Sequence, residues 1–171
     1  MTAQLNPRSV EAPRGVSGVQ QQLMEEMLVC SGRLGYAGAS VDLLCLQSGF
    51  PQDRFHDHFE SKAACFHLAY EMGIERLSGR LLGASEQGSD LRRALALTAE
   101  FIVAEGMEAR SLFVEVHVAA GPSLEKRFKW MERLAGFLDA AYRTEGCPVS
   151  EVTPCFIVYA IDHIVRSSLA D

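Results

Sequence analysis

From Ser17 onward the apolar positions of this chain recur at helical spacing almost without interruption. Leu23, Met27, Cys30 and Leu34 follow i, i+4, i+7 and i+11, which predicts a first helix from about Ser17 to Leu34 that stops at Gly35. Ser40 has the side chain to cap a second helix, with Asp42 near the positive end of its dipole and Val41, Leu44 and Cys45 on the inner face. Gly49 supplies a turn, and Pro51, which lacks the N–H that a helix start leaves unpaired, opens a third short helix to about His58. Ser61 caps a fourth helix reaching about Leu82, before Gly83 and the polar run SEQGSD. Ser89 is placed to cap a fifth, with Leu91, Leu95, Thr98 and Ile102 along it. Gly106 interrupts that helix ahead of an apolar run from Ser111 to Ala120, which Gly121 and Pro122 end. Leu124, Phe128, Met131, Ala135, Leu138 and Tyr142 then alternate in steps of four and three, the seam of a long amphipathic helix. A last helix starts near Ser150 and carries Phe156, Tyr159, Ile161, Ile164 and Val165.

No segment alternates with period two for long enough to make a strand, so the expected fold is all-α. Three short helices in helix-turn-helix order precede a bundle of roughly five longer ones. The expected organisation is a flexible arm over 1–16, which carries two prolines and no helical period, a helix-turn-helix domain over 17–60, and a helical effector and dimerisation domain over 61–171.

Composition narrows the class. With 171 residues, 48% of them apolar, the chain can bury a real core. No apolar run approaches the roughly 20 residues needed to cross a bilayer, and the N-terminus lacks a signal-peptide pattern, so a cytoplasmic, non-membrane protein is expected. The five cysteines, Cys30, Cys45, Cys65, Cys147 and Cys155, show neither CxxC nor finger spacing and read as reduced, buried, small hydrophobes. Net charge is −6; residues 1–62 hold five Lys or Arg against seven Asp or Glu, a balance of −2, which leaves −4 for the rest. Neither half is a basic module by composition.

The residues Gly35-Tyr36, Ser40-Val41, Leu44, Ser48-Gly49, Phe55, His58-Phe59 and Ser61-Lys62 carry a more specific signal. In their order and spacing, over roughly residues 20 to 70, the chain resembles the DNA-binding domain of the TetR family of transcriptional regulators. In that family a Gly-Tyr or Gly-Phe ends the first helix, Thr or Ser caps the second, and a Tyr-x-His-Phe-x-x-Lys run closes the recognition helix. The segment Phe113 to Arg133 is similar to the effector domain of a subset of such regulators. The resemblance implies a homodimeric, ligand-responsive repressor that binds double-stranded operator DNA.

Departures from the family pattern fall where DNA approaches. Pro51, Gln52, Asp53, Arg54 and His56 stand where the family usually has Ser, Lys, Gly, Thr and Tyr, and Asp53 and Asp57 bring two carboxylates toward a row of phosphates. Gln52 and Arg54 suit adenine and guanine edges respectively. His56 matches the family's backbone-contacting Tyr, and Ser40 and Lys62 match phosphate-holding positions. Affinity is therefore expected to be modest and steep in salt, and a TetR-like ligand-binding or interaction protein whose DNA reader has decayed stays open beside the regulator. A helical enzyme or carrier is a weaker alternative.

Other chemistry is sparse. His56 and His58 lie two apart, about 200° around a helix, so they cannot readily share a metal ion, and His58 reads as a packing residue. No nucleophile–base set, glycine-rich phosphate loop or paired carboxylates stand at usable spacing, so neither an enzyme nor a cofactor site is expected. Phe101, Met107, Phe113, His117, Trp130 and Phe137 are candidates to line a site for an apolar or aromatic small-molecule effector. Glu115 and His117 sit within an apolar helix, where a buried polar group needs a partner, either protein or effector.

Overall fold

Ser17 opens the first helix through a reciprocal cap: its hydroxyl accepts the Gln20 N–H at 3.2 Å, and the Gln20 side-chain oxygen accepts the Ser17 N–H at 3.1 Å. The computed structural model describes residues 17–83, 91–144, 146, 150 and 152–170. The arm over 1–16 and the Ser89 cap lie outside the described residues.

Helix α1 spans Gly18–Gly38 and buries Leu23, Met24, Met27, Leu28 and Cys30. At Gly35, where the pattern places the helix end, the backbone breaks, at φ 77° and ψ 153°, and one further helical turn follows to Gly38. Helix α2, Val41–Ser48, is capped by the Ser40 hydroxyl, which accepts the Leu43 N–H at 3.2 Å. Gly49 ends it in the left-handed region at φ 68°, a conformation open to glycine at little cost. The Gln22 side chain donates to the Ser48 carbonyl at 3.0 Å, tying the turn back to α1.

The third element is tighter than predicted. Gln52–Asp57 forms a 3₁₀ turn following Pro51, closed by bonds from Arg54 N–H to the Pro51 carbonyl at 3.1 Å and from His58 N–H to the Phe55 carbonyl at 3.0 Å. Side chains three apart eclipse in such a turn. Phe55 is driven fully inside, an anchor whose burial is worth about 1.5–3 kcal/mol. His58 packs edge-on to Phe50 at 5.4 Å, the packing role expected of it.

Helix α3, Lys62–Gly83, begins where the Ser61 hydroxyl accepts the Ala64 N–H at 3.1 Å. Helix α4, Leu91–Ala104, is followed by α5, Gly106–Arg110, a π turn over Ser111–Glu115, and α6, Val116–Ala119. The predicted apolar run is thus a helix containing one wide turn. Helix α7, Gly121–Thr144, and α8, Thr153–Ala170, complete the bundle. Every regular element among the described residues is helical, so the fold is all-α, with a helix-turn-helix arrangement preceding a helical bundle.

One apolar cluster runs through both parts, from Leu23 and Met27 through Phe55, Phe66 and Leu77 to Leu112, Met131 and Val158. α1 packs on α3, α5 and the π turn, and α7 packs on α3 and α8. Cys30, Cys45 and Cys65 are buried as expected, and burial pushes the Cys65 thiol up to about 12. Cys155 is exposed instead, because Pro154 and Val158 take the inner face of α8; Cys147 lies outside the described residues. No described helix is long and apolar enough to cross a membrane.

Candidate nucleic-acid interface and buried polar centre

The turn between α2 and α3 presents Gln52, Asp53, Arg54, His56 and Asp57 to solvent, held there by Phe55 and Phe59 beneath. The candidate contact groups already have partners. Gln52 Nε2 donates to Asp42 at 2.5 Å, and Arg54 Nε pairs with Asp57 at 3.2 Å, the eclipsed spacing of the 3₁₀ turn. His56 lies edge-on to Phe55 at 5.4 Å. Ser40 is exposed, with its hydroxyl in the α2 cap.

Lys62 points inward. Its Nζ donates to the Tyr36 carbonyl at 2.7 Å and lies 4.2 Å from the centre of the Tyr36 ring, and burial lowers its pKa. The Tyr36 N–H, just past the Gly35 break, donates to Glu115 Oε2 at 2.7 Å. The other oxygen of Glu115 is 3.7 Å from Arg110 Nε, and Arg110 Nη1 donates to the Leu169 carbonyl near the end of α8. Glu115, for which the sequence leaves protein or effector open, thus has protein partners. Nearby, the Ser111 hydroxyl donates to the Leu28 carbonyl, another tie between the π turn and α1.

A second polar group sits within the bundle. Arg127 is 0% exposed, although the apolar seam of α7 assigns that face to Phe128, which is 43% exposed. Arg127 Nη1 donates to the Leu112 carbonyl at 2.8 Å, Nη2 pairs with Asp162 of α8, and the guanidinium lies 5.2 Å from the centre of the Phe113 ring. Burial pushes Tyr70 up to about 12, with Arg127 beside it acting in the opposite direction. Burial also lowers the His117 pKa, reinforced by the positive charges of Arg127 and Arg166, and His117 Nε2 is buried with no hydrogen-bond partner among the described residues.

Around this centre the structure gathers only part of the expected effector-lining set. Phe113 and Trp130 meet edge-on at 6.4 Å, and Trp130 donates to the Ser78 hydroxyl at 2.8 Å. Phe101 is buried against Arg80, 5.5 Å from ring centre to guanidinium carbon. Phe137 is half-buried, and Met107 is 47% exposed, with its backbone against Gly32 of α1. Sequence reasoning missed Arg127, Tyr70 and Asp162. The available signal was position: Arg127 is three residues after Leu124 and four before Met131, so it shares their face of the helix.

The class this geometry defines is an all-α chain with a helix-turn-helix in front of a helical bundle. No protein-family model and no curated protein matches the sequence. Solved structures share this fold, among them the following two. The fatty acid degradation regulator FadR from Bacillus halodurans superposes with a TM-score of 0.79 at 13% identity, over 92% of this chain and 87% of that one. A transcriptional regulator from Rhodococcus sp. Rha1 superposes with a TM-score of 0.72 at 23% identity, over 89% and 84%.

Proposed function

We propose that the chain is a DNA-binding transcriptional regulator of TetR type that acts as a cytoplasmic homodimer, with residues 17–60 reading a roughly palindromic operator and 61–171 dimerising and responding to a small molecule. The observation that carries this is the outward turn Gln52–Asp57, seated on buried Phe55 and Phe59 in a fold that two solved transcriptional regulators share. Gln52, Arg54 and His56 are the side chains that face DNA, and the exposed Ser40 sits at the N-terminus of α2, where phosphate is favoured. Lys62 contributes by holding Tyr36. Phe156, Tyr159 and Ile164 leave an exposed apolar surface on α8, with Val152 just ahead of it, that suits the seam of a two-fold dimer. Phe113, Trp130 and the unpartnered His117 Nε2 are the part of the bundle best suited to an aromatic effector. A ligand preferring one bundle arrangement would change the spacing of the two DNA-facing turns.

The specific observation favouring a decayed reader is that Gln52 and Arg54 both pair with carboxylates of their own chain. DNA must displace those partners, which lowers affinity, and the affinity that remains falls with salt. Fluorescence anisotropy on the DNA flanking the protein's own gene, at low and moderate salt, with Arg54→Ala as control, separates the two. Binding that weakens with salt and with R54A is expected. Absence of binding at low salt, or indifference to Arg54, refutes the regulator, and sedimentation as a monomer at micromolar concentration refutes the two-copy operator.

A further inference from the structure

Tyr36 precedes α2 and Lys62 opens α3, so these two residues bracket the whole turn-bearing segment, and they meet. The Lys62 ammonium bonds the Tyr36 carbonyl at 2.7 Å and covers its ring, which closes residues 36–62 into a loop pinned at one residue. The N–H of that same residue points outside the loop, to Glu115 at 2.7 Å. The break at Gly35 is what exposes it: at φ 77° the chain leaves the helical path, and the Tyr36 N–H is free of the α1 ladder. A hydrogen bond to an ionised acceptor is among the stronger ones a fold makes, and Glu115 is 5% exposed.

Glu115 is also the last residue of the π turn. Wide turns of this kind recur at functional sites because they hold one residue out of α register. Relaxation to α register would carry the carboxylate about 100° around the axis and off Tyr36. On its far side Glu115 is held by Arg110, whose other nitrogen bonds the Leu169 carbonyl of α8. A continuous polar chain therefore runs from the end of α8 through Arg110 and Glu115 to Tyr36, the residue that pins the DNA-facing segment.

We propose that Glu115 is a positioning residue, the latch by which the bundle sets the attitude of residues 36–62, with Arg110 reporting the position of α8 to it. The regulatory half of this rests on the DNA-reader function proposed above; the latch itself does not. Releasing the carboxylate frees the Tyr36 N–H and lets the segment tilt as a unit while its own core, centred on Phe55, stays packed.

The test is residue-resolved amide hydrogen exchange on the full chain, for wild type, Glu115→Ala, Glu115→Gln and Arg110→Ala. E115A is expected to speed exchange at Tyr36 roughly 10- to 100-fold, the worth of one hydrogen bond to a charged group, with α3 and α7 amides unchanged. E115Q keeps an acceptor oxygen and should retain most of the protection, and R110A should fall between the two. Unchanged exchange at Tyr36 in E115A overturns the latch, as does a rise spread evenly over the chain, which marks plain loss of stability. If E115A does not fold, equal Tyr36 exchange in R110A and wild type overturns the Arg110 link, and faster exchange supports it. Anisotropy on the same variants reads regulation separately. Wild type that binds DNA while E115A binds equally well refutes the regulatory half, whereas wild type that binds no DNA refutes the reader and leaves exchange to decide the latch.

Discussion

Gly32→Ala is expected to be the most damaging single-methyl addition in the N-terminal half. Gly32 is buried in α1 where the backbone of α5 crosses it. A Cβ built there would lie 1.8 Å from the Met107 carbonyl oxygen, 2.6 Å from its carbon and 2.9 Å from its Cα. The first distance falls about 1.6 Å short of the 3.4 Å at which ordinary contact begins. All three atoms are backbone, so no rotamer change relieves the overlap, and α1 and α5 must separate. Separation strains the Ser111–Leu28 bond and opens the packing around Leu28. Overpacking usually costs about 1–3 kcal/mol, and a backbone clash belongs in the tail above that, roughly 3–5 kcal/mol. Better helix propensity of alanine returns about 1 kcal/mol, which leaves roughly 2–4. At about 2–4 °C per kcal/mol for a chain of this size, the melting temperature should fall by about 5–15 °C. Thermal unfolding followed by circular dichroism at one protein concentration measures it. Gly73→Ala is the graded comparison: its Cβ meets the movable tip of Leu112 at 2.8 Å, and it should cost less. Gly18→Ala, with nothing within 4 Å, should be harmless. A G32A melt within about 2 °C of wild type would refute the packing geometry on which this rests.

The buried ion pair yields a cycle. Arg127→Met strands the Asp162 carboxylate and removes the donor to the Leu112 carbonyl, and should cost about 3–5 kcal/mol by urea denaturation, whereas R127M combined with Asp162→Leu should recover most of it. A double variant no more stable than R127M would show that the pair is not the source of the loss. His117 provides a pH signature: its folded pKa is lowered, chiefly by burial and then by Arg127 and Arg166, so its contribution is full above the unfolded value of about 6.5 and is lost as pH falls through the folded one. His117→Gln should flatten the decline in urea midpoint between about pH 7 and 5.5, and equal slopes for the two proteins would count against this assignment.

What the sequence alone determined follows from local chemistry. Capping residues at Ser40 and Ser61, the turn at Gly49 and the period-3.6 stripes each act within a few residues, so the helices and their order were legible. The resemblance, and not local pattern, singled out Phe55 and Phe59 as scaffold and Gln52, Arg54 and His56 as contact groups, and the structure buries the first two and exposes the other three. What only the tertiary structure decided depends on groups distant in sequence. Lys62 reads as a surface cation until Tyr36 is seen beneath it, 26 residues away in the chain. Arg127 reads as the polar neighbour of an apolar seam until Leu112, Tyr70 and Asp162 surround it, because a buried charge is tolerated only when packing brings partners to it. Glu115 is the same case across 79 residues: local pattern marks a carboxylate in an apolar helix, and only folding supplies the Tyr36 N–H that it accepts.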